Sequence, residues 1–325
     1  MRYVIYGAGA IGGVIAARLA RAGRRVVAIA RGEHLAAVRA KGLRFESPRE
    51  SFVADVEAVG HPGELAWEPE DVVFLCTKTQ DSEAALLALR EAAGSSPAVV
   101  CAQNGVANER MALRRFDRVY AMVVMLPATH LEPGLVVAQS KAAPGILDLG
   151  RYPGGIDAEA ERIAADLEGA AFSARPDPEV MRFKYTKLLM NLGNALHAAC
   201  GADPAAAGIL AEARAEAERC YAAAGIDHAS AAEFAERRGD LIQPVAVGNR
   251  TRGGSSSWQS LARKSGSIEA DYLNGEIALL GRQHGIPTPT NATLQDVSNE
   301  LAAARGAPGS VPLDELKRRI EARAR

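Results

Sequence analysis

Near the start of the chain, Gly7-Ala8-Gly9-Ala10-Ile11-Gly12 has the spacing G-x-G-x-x-G. Its chemistry is one of backbone geometry: Gly7 permits a tight turn, Gly9 lets the main chain approach a pyrophosphate, and Gly12 lets helix and strand pack closely. The whole run, Ala8, Ala10 and Ile11 included, is therefore assigned to a dinucleotide, with a purely structural turn as the alternative. NAD-specific sites carry Asp or Glu about twenty residues further on, where the carboxylate accepts from the ribose 2′-hydroxyl. Here that place holds Arg31. A guanidinium cannot accept that bond, but it can bind a 2′-phosphate and stack on adenine, so NADP(H) is the expected cofactor. The alternative leaves Arg31 solvated, with Glu33 neutralising it or taking over the ribose contact.

Lys78 follows an apolar run, Asp71–Thr77, and Asn104 in Gln103-Asn104-Gly105 follows another, Ala98–Ala102. Both positions project from the carboxyl end of a strand, where open α/β sheets bind ligands. Each could equally be an ordinary loop residue. Cys76, Cys101, Cys200 and Cys220 lie far apart with no C-x-x-C pair and no histidine at ligand spacing. They read as buried thiols, and no metal site is expected.

The elements that must position these residues alternate along the first half. Strand-like Arg2–Tyr6, helical Ala10–Ala22 and strand-like Arg25–Ala30 make one βαβ unit. Helix over Glu33–Ala40, strand over Asp71–Thr77, helix over Ser82–Ala93, and strands over Ala98–Ala102 and Val119–Met125 continue it, which predicts a Rossmann-type, doubly wound, mostly parallel sheet. Short runs at Leu135–Ala138 and Gly145–Leu149 are expected to extend that sheet as antiparallel strands, with a helix over Asp157–Gly169. After Pro178 the strand signals stop. Long alanine-rich segments over Met181–Ala199, Ile209–Ala224, Ser230–Arg238, Ile268–His284, Asn291–Arg305 and Leu313–Ala322 predict an all-helical second domain, and Gly253–Ser257 resembles low complexity. The prolines near Ala174–Pro178 place the boundary, giving an α/β cofactor domain over 1–176 and a helical substrate domain over 177–325.

The chain has 325 residues, a net charge of -1 and 48% hydrophobic residues. Two domains are therefore the expectation, and no basic footprint of a nucleic-acid or anionic-membrane binder is present. Charges interrupt every apolar stretch before the roughly 18–20 residues that a membrane span requires. The first strand begins almost at Met1, leaving no room for a signal peptide. A cytoplasmic protein with a small-molecule partner is expected, as a monomer or homodimer.

With these residues in order, the chain resembles the ketopantoate reductase (2-dehydropantoate 2-reductase) family over nearly its whole length. The glycine run, Arg31, Thr77-Lys78 and Gln103-Asn104-Gly105 resemble its NADP-site elements. Lys187-Leu188-Leu189-Met190-Asn191 resembles its K-L-x-x-N helix, and Glu269-Ala270-Asp271-Tyr272-Leu273-Asn274-Gly275 its E-x-D-x-x-N-G helix. His284-Gly285-Ile286-Pro287-Thr288-Pro289 is similar to its H-G-x-x-x-P turn. The resemblance implies that Lys187 donates a proton to the substrate carbonyl and that Asn104 lies between cofactor and substrate. It further implies that Asn191, Asn194 and Ser257 hold the substrate, and that Glu269 closes the site on substrate and cofactor from the second domain. Such roles are chemically coherent: hydride delivery to a ketone leaves an alkoxide that must be protonated or stabilised as it forms. Without the resemblance, Lys187 is a solvated basic residue and Glu269 a helix-start carboxylate. His197 and His284 fall on no family catalytic position and read as structural.

Two departures bear on the substrate. Many family members carry a second carboxamide eight residues after the lysine, whereas Asn194 lies one residue earlier, so it serves only if the helix is interrupted near Gly193. In Gly253-Gly254-Ser255-Ser256-Ser257-Trp258, Gly254 stands where the family often has Asn, and Trp258 where a Met is usual. The expected reaction is NADPH-dependent reduction of a small 2-keto acid in a cleft between the domains, ketopantoate first and another 2-keto acid second. The reading from a different class is a non-catalytic NADP(H) redox sensor, which has no need of Lys187, Asn191, Ser257 and Glu269 together.

Overall fold

Tyr3 and Ile5 pack into one apolar cluster, Val4 and Tyr6 into another, and all four are buried. Strand β1 (Arg2–Tyr6) must therefore lie inside a sheet covered on both faces. The computed structural model describes residues 1–248 and 253–325. After β1 come α1 (Ala10–Arg21), β2 (Arg25–Ile29), α2 (Gly32–Lys41), β3 (Leu43–Glu46), β4 (Ser51–Ala54), β5 (Glu57–Val59), β6 (Asp71–Leu75), α3 (Thr79–Ala93) and β7 (Ala98–Cys101). Then follow α4 (Asn108–Leu113), β8 (Val119–Met125), β9 (Ala128–Thr129), β10 (Leu135–Ala138), β11 (Ile146–Arg151) and α5 (Ala158–Gly169). The remaining elements are helices: α6 (Val180–Asn191), α7 (Gly193–Cys200), α8 (Ala207–Ala224), α9 (Ala231–Arg238), α10 (Ser256–Ala262), α11 (Asn274–His284), α12 (Pro289–Ala303) and α13 (Leu313–Ala324). Among the described residues no helix is long and apolar enough to cross a membrane.

A seven-stranded sheet runs β11-β8-β7-β6-β1-β2-β5, parallel throughout except for β11 against β8. Helices α1 and α5 bury Ile15, Leu19, Ile163 and Leu167 with the Tyr3 and Ile5 side of the sheet. Helices α3 and α4 bury Leu86, Leu89 and Ala112 with the Val4 and Tyr6 side. This is the doubly wound α/β architecture that the alternation predicts, with the β1 and β2 carboxyl ends brought side by side.

The expectation for Leu135–Ala138 needs correction. Only β11 extends the main sheet antiparallel; β10 pairs parallel with β3, in a second sheet of order β4-β3-β10-β9. Strands β3, β4 and β5 were not anticipated, because runs of three or four residues are too short for a period-two pattern to stand out. The second sheet lies against α1, where a β-carbon on Gly13 would stand 2.5 Å from Val136 Cγ1.

Two compact units make up the chain, and neither is one contiguous stretch. The first comprises Met1–Gln103, Asn108–Lys184 and the described part of Ser230–Arg252; the second comprises Asn104–Ala107, Tyr185–Ala229 and Gly253–Arg325. The sequence predicts one crossing at 176/177 instead, which no local signal could refine. Helix α9 belongs with the sheet: Phe234 packs with Ala121, Val123, Ile146 and Val180, and Arg237 grips Asp148 of β11 through two bonds of 2.6 Å.

Within the second unit, both long predicted helices are interrupted. The segment predicted as Met181–Ala199 divides into α6 and α7, and Ile268–His284 divides into a 3-10 turn, Glu269–Tyr272, and α11. A shared cause is Asn274, whose buried amide donates to the Leu192 carbonyl at 3.2 Å and to Asn291 Oδ1 at 3.0 Å. A side chain that takes a carbonyl out of the ladder interrupts the helix there. Glu216 of α8, fully buried, accepts from the Thr290 and Asn291 amides and so caps the start of α12.

Candidate active site

In the first unit the chain turns at Gly7 with φ +101, where a β-carbon would stand 2.9 Å from the Thr77 amide. A β-carbon on Gly12 would stand 2.3 Å from the Gly7 carbonyl oxygen, so the close strand–helix approach excludes any larger residue. Beyond Gly9 the space is open, with nothing within 4 Å of its β position. Gly9 caps α1 without a side chain, and the first turn, which starts with Ala10 and Ile11, carries no acidic residue. A helix start with unshielded N–H groups and open space before it fits the diphosphate of a dinucleotide.

His34, which sequence reasoning missed, braces this turn. The Gly134 amide donates to its Nδ1 at 2.9 Å, so the proton sits on Nε2, which donates to the Ala8 carbonyl at 2.8 Å. Burial, with the neighbouring His130 ring 4.3 Å away, pushes the His34 pKa down to about 4, keeping it in this neutral form. Arg31 is the exposed N-cap of α2, two residues past the end of β2, and its side chain has no hydrogen bond or ion pair among the described residues. Lys78 is the half-buried N-cap of α3, which starts at Thr79 rather than Ser82. Of the cysteines, Cys101 and Cys220 are buried and Cys76 and Cys200 only partly so. Burial raises the thiol pKa at all four, which disfavours the thiolate form.

In the second unit, Lys187 on α6 donates to Asn104 Oδ1 at 2.8 Å. Asn104 stands at a turn whose Gly105 has φ +77, and a β-carbon on Gly105 would lie 2.9 Å from the Tyr272 carbonyl. That contact sets the Asn104 turn against the 3-10 turn that begins with Glu269, itself 5% exposed. Asn191, one helical turn after Lys187, shares its side of α6. Its Oδ1 is buried with no hydrogen-bond partner among the described residues, so the arrangement holds an acceptor ready for a donor. The interruption after Asn191 is the one that Asn194 requires: Asn194 Nδ2 reaches Ser256 Oγ at 3.4 Å, and its carbonyl accepts from Ser255 Oγ at 3.3 Å. Ser257 is buried in the first turn of α10, a helix where low complexity was expected.

The second sequence departure, Gly254 together with Trp258, is one packing unit. Gly254 has φ +101, and a β-carbon there would stand 2.8 Å from Trp258 Cγ and 2.9 Å from His197 Cε1. At Gly253 it would stand 2.7 Å from Trp258 Cζ3. With the indole in place, asparagine at 254 would be strained in both its backbone and its β position. His197, whose Nδ1 accepts from the Ser255 amide at 3.4 Å, completes this wall, whereas His284 is exposed at the end of α11.

Comparison with known proteins extends over nearly the whole chain. Residues 3–154 match the family model described as ketopantoate reductase PanE/ApbA, and residues 179–302 match that of the ketopantoate reductase PanE/ApbA C terminal. A 2-dehydropantoate 2-reductase of Mesorhizobium japonicum is 30% identical, over 94% of this chain and 99% of its own. The crystal structure of a PanE/ApbA family ketopantoate reductase from Ralstonia eutropha JMP134 matches with a TM-score of 0.79 and 27% identity, covering 94% of this chain and 99% of that one. D-mandelate dehydrogenase, solved with NADH and anilino(oxo)acetate, shares the fold with a TM-score of 0.80 at 22% identity, over 94% of this chain and 99% of its own.

Proposed function

Because the chain belongs to the ketopantoate reductase family of oxidoreductases, we propose that it uses NADPH to reduce the ketone of 2-dehydropantoate, giving the 2-hydroxy acid pantoate. The observation that carries the reading is the 2.8 Å bond between Lys187 Nζ and Asn104 Oδ1. A carboxamide that accepts from the ammonium fixes its place and direction as a proton donor. NADPH, when bound, supplies the hydride to the carbonyl carbon. Lys187 then gives a proton to the carbonyl oxygen, so that C=O becomes CH–OH and the amine is reprotonated from water. The buried Asn191 Oδ1 suits a substrate hydroxyl, while Asn194, Ser257 and Glu269 complete the polar set. The cofactor belongs to the glycine turn, with Arg31 on the 2′-phosphate and Lys78 beside the phosphates; in this reading it occupies residues 1–176 and the substrate the helical residues 177–325. The reaction is cytoplasmic, carried out by a monomer or homodimer.

Lys187→Met is expected to lower kcat by about 10²–10⁴-fold with the NADPH dissociation constant unchanged, measured by nicotinamide fluorescence. Retained turnover removes Lys187 from its role. A second substrate reading is favoured by the Gly254–Trp258 packing, which would strain asparagine at a position where the family often has one. Steady-state assays with ketopantoate and a panel of 2-keto acids, each with NADPH and NADH, separate the two. Turnover of another 2-keto acid but not of ketopantoate selects the second.

A further inference from the structure

We infer that Lys184 is a positioning residue for the reaction: its ammonium, neutralised by Glu109, fixes the backbone on which Asn104 meets Lys187. The inference rests on the role proposed for Lys187. Lys184 is 3% exposed and Glu109 not at all, and Lys184 Nζ lies 2.7 Å from Glu109 Oε1. The same nitrogen donates to the Gln103 carbonyl at 3.0 Å and the Met122 carbonyl at 3.2 Å. The two carbonyls accept hydrogen bonds from the ammonium, and Glu109 balances its charge at ion-pair distance. Gln103 is held again through its side chain, which donates to Ser82 Oγ at 3.2 Å. Asn108, beside Glu109, donates to Thr79 Oγ1 at 3.1 Å. The turn from Asn104 to Ala107 is thus anchored at both ends by buried polar groups.

Lys184 and Lys187 lie three apart on α6, hence on neighbouring positions of one helix side. They engage consecutive residues of the turn, Lys184 the main chain of Gln103 and Lys187 the side chain of Asn104. Removing two ions from water costs more than a good apolar pair of the same volume, so stability alone gives no reason for a lysine and a glutamate here. The carbonyl anchors do give one, since an error of about 1 Å in the placement of a reacting group can cost about 100-fold in rate.

The test is the paired variant K184M/E109L, which removes both charges and leaves neither partner orphaned. Because the Gln103 and Met122 carbonyls lose their donor, its unfolding temperature should fall, and it is assayed where it remains folded. Amide exchange over residues 104–107, read by mass spectrometry, should quicken about tenfold, and kcat should fall about 100-fold with KM for NADPH within about threefold. A folded variant with unchanged exchange over the turn, or with wild-type kcat, overturns the inference. K184M/E109Q, which keeps the shape of residue 109, carries the same expectations if the apolar pair disturbs packing. Should the wild type reduce no 2-keto acid, the functional reading fails, whereas the exchange measurement still decides whether Lys184 orders the turn.

Discussion

Arg31 and Gly254 are the single residues at which the proposed cofactor and substrate readings can be tested. The Arg31 guanidinium is exposed and unengaged by described residues, next to the strand end where a ribose would lie. Charge-assisted bonds contribute about 1.5–3 kcal/mol, so Arg31→Ala should weaken NADPH binding about 10- to 100-fold while leaving NADH within about threefold, read by fluorescence titration. Equal losses for both cofactors would return Arg31 to a solvated role. At residue 254 the strain is double, a left-handed φ and an occupied β position. Gly254→Asn should therefore cost about 2–4 kcal/mol in denaturant unfolding. Adding Trp258→Met should recover a large part of it, because the two positions share one space. The motif residues were legible in the sequence because their spacing carries a mechanism. Lys184 and Glu109 were not, since a lysine and a glutamate far apart in sequence look solvated until the fold encloses both.

The elements were legible where they are long or buried on both faces. Strands β1, β2, β6, β7 and β8 and the helices between them followed from apolar runs and glycine punctuation. Strand β3 was not legible, because its partner β10 lies some ninety residues away and neither strand exceeds four residues. The helix interruption at Leu192 also depends on a distant group, the amide of Asn274. Between α2 and the loop before β10, His34 is neutral in the folded protein down to about pH 4, whereas an unfolded histidine takes up a proton near 6.5. Since the unfolded chain binds the extra proton first, this contribution to stability is complete above pH 6.5 and is lost as pH falls toward 4. Thermal unfolding should show that decline, and His34→Gln should flatten it; an equal slope in the variant would detach it from His34.

At the scale of the whole molecule, the sheet-bearing unit draws on three separate stretches of chain. A fragment of residues 1–176 lacks Lys184 for Glu109, Arg237 for Asp148, and the Phe234 and Val180 side chains of an apolar cluster. Breaking a buried pair by removing one partner costs about 3–5 kcal/mol. The fragment should therefore unfold without a cooperative calorimetric transition, while extension to residue 248 restores those partners on the same chain. A sharp transition in the shorter fragment would show that α9 and its neighbours add nothing to the sheet unit.

The same interleaving sets an order of events during synthesis. The glycine turn is synthesised long before the last segment of its unit, which follows only after the chain has passed through most of α6, α7 and α8. At about 5–20 residues per second, the buried carboxylate of Glu109 awaits Lys184 for a time on the order of ten seconds. Over a similar interval Asp148 has only Arg175, at 3.7 Å, before Arg237 closes on it.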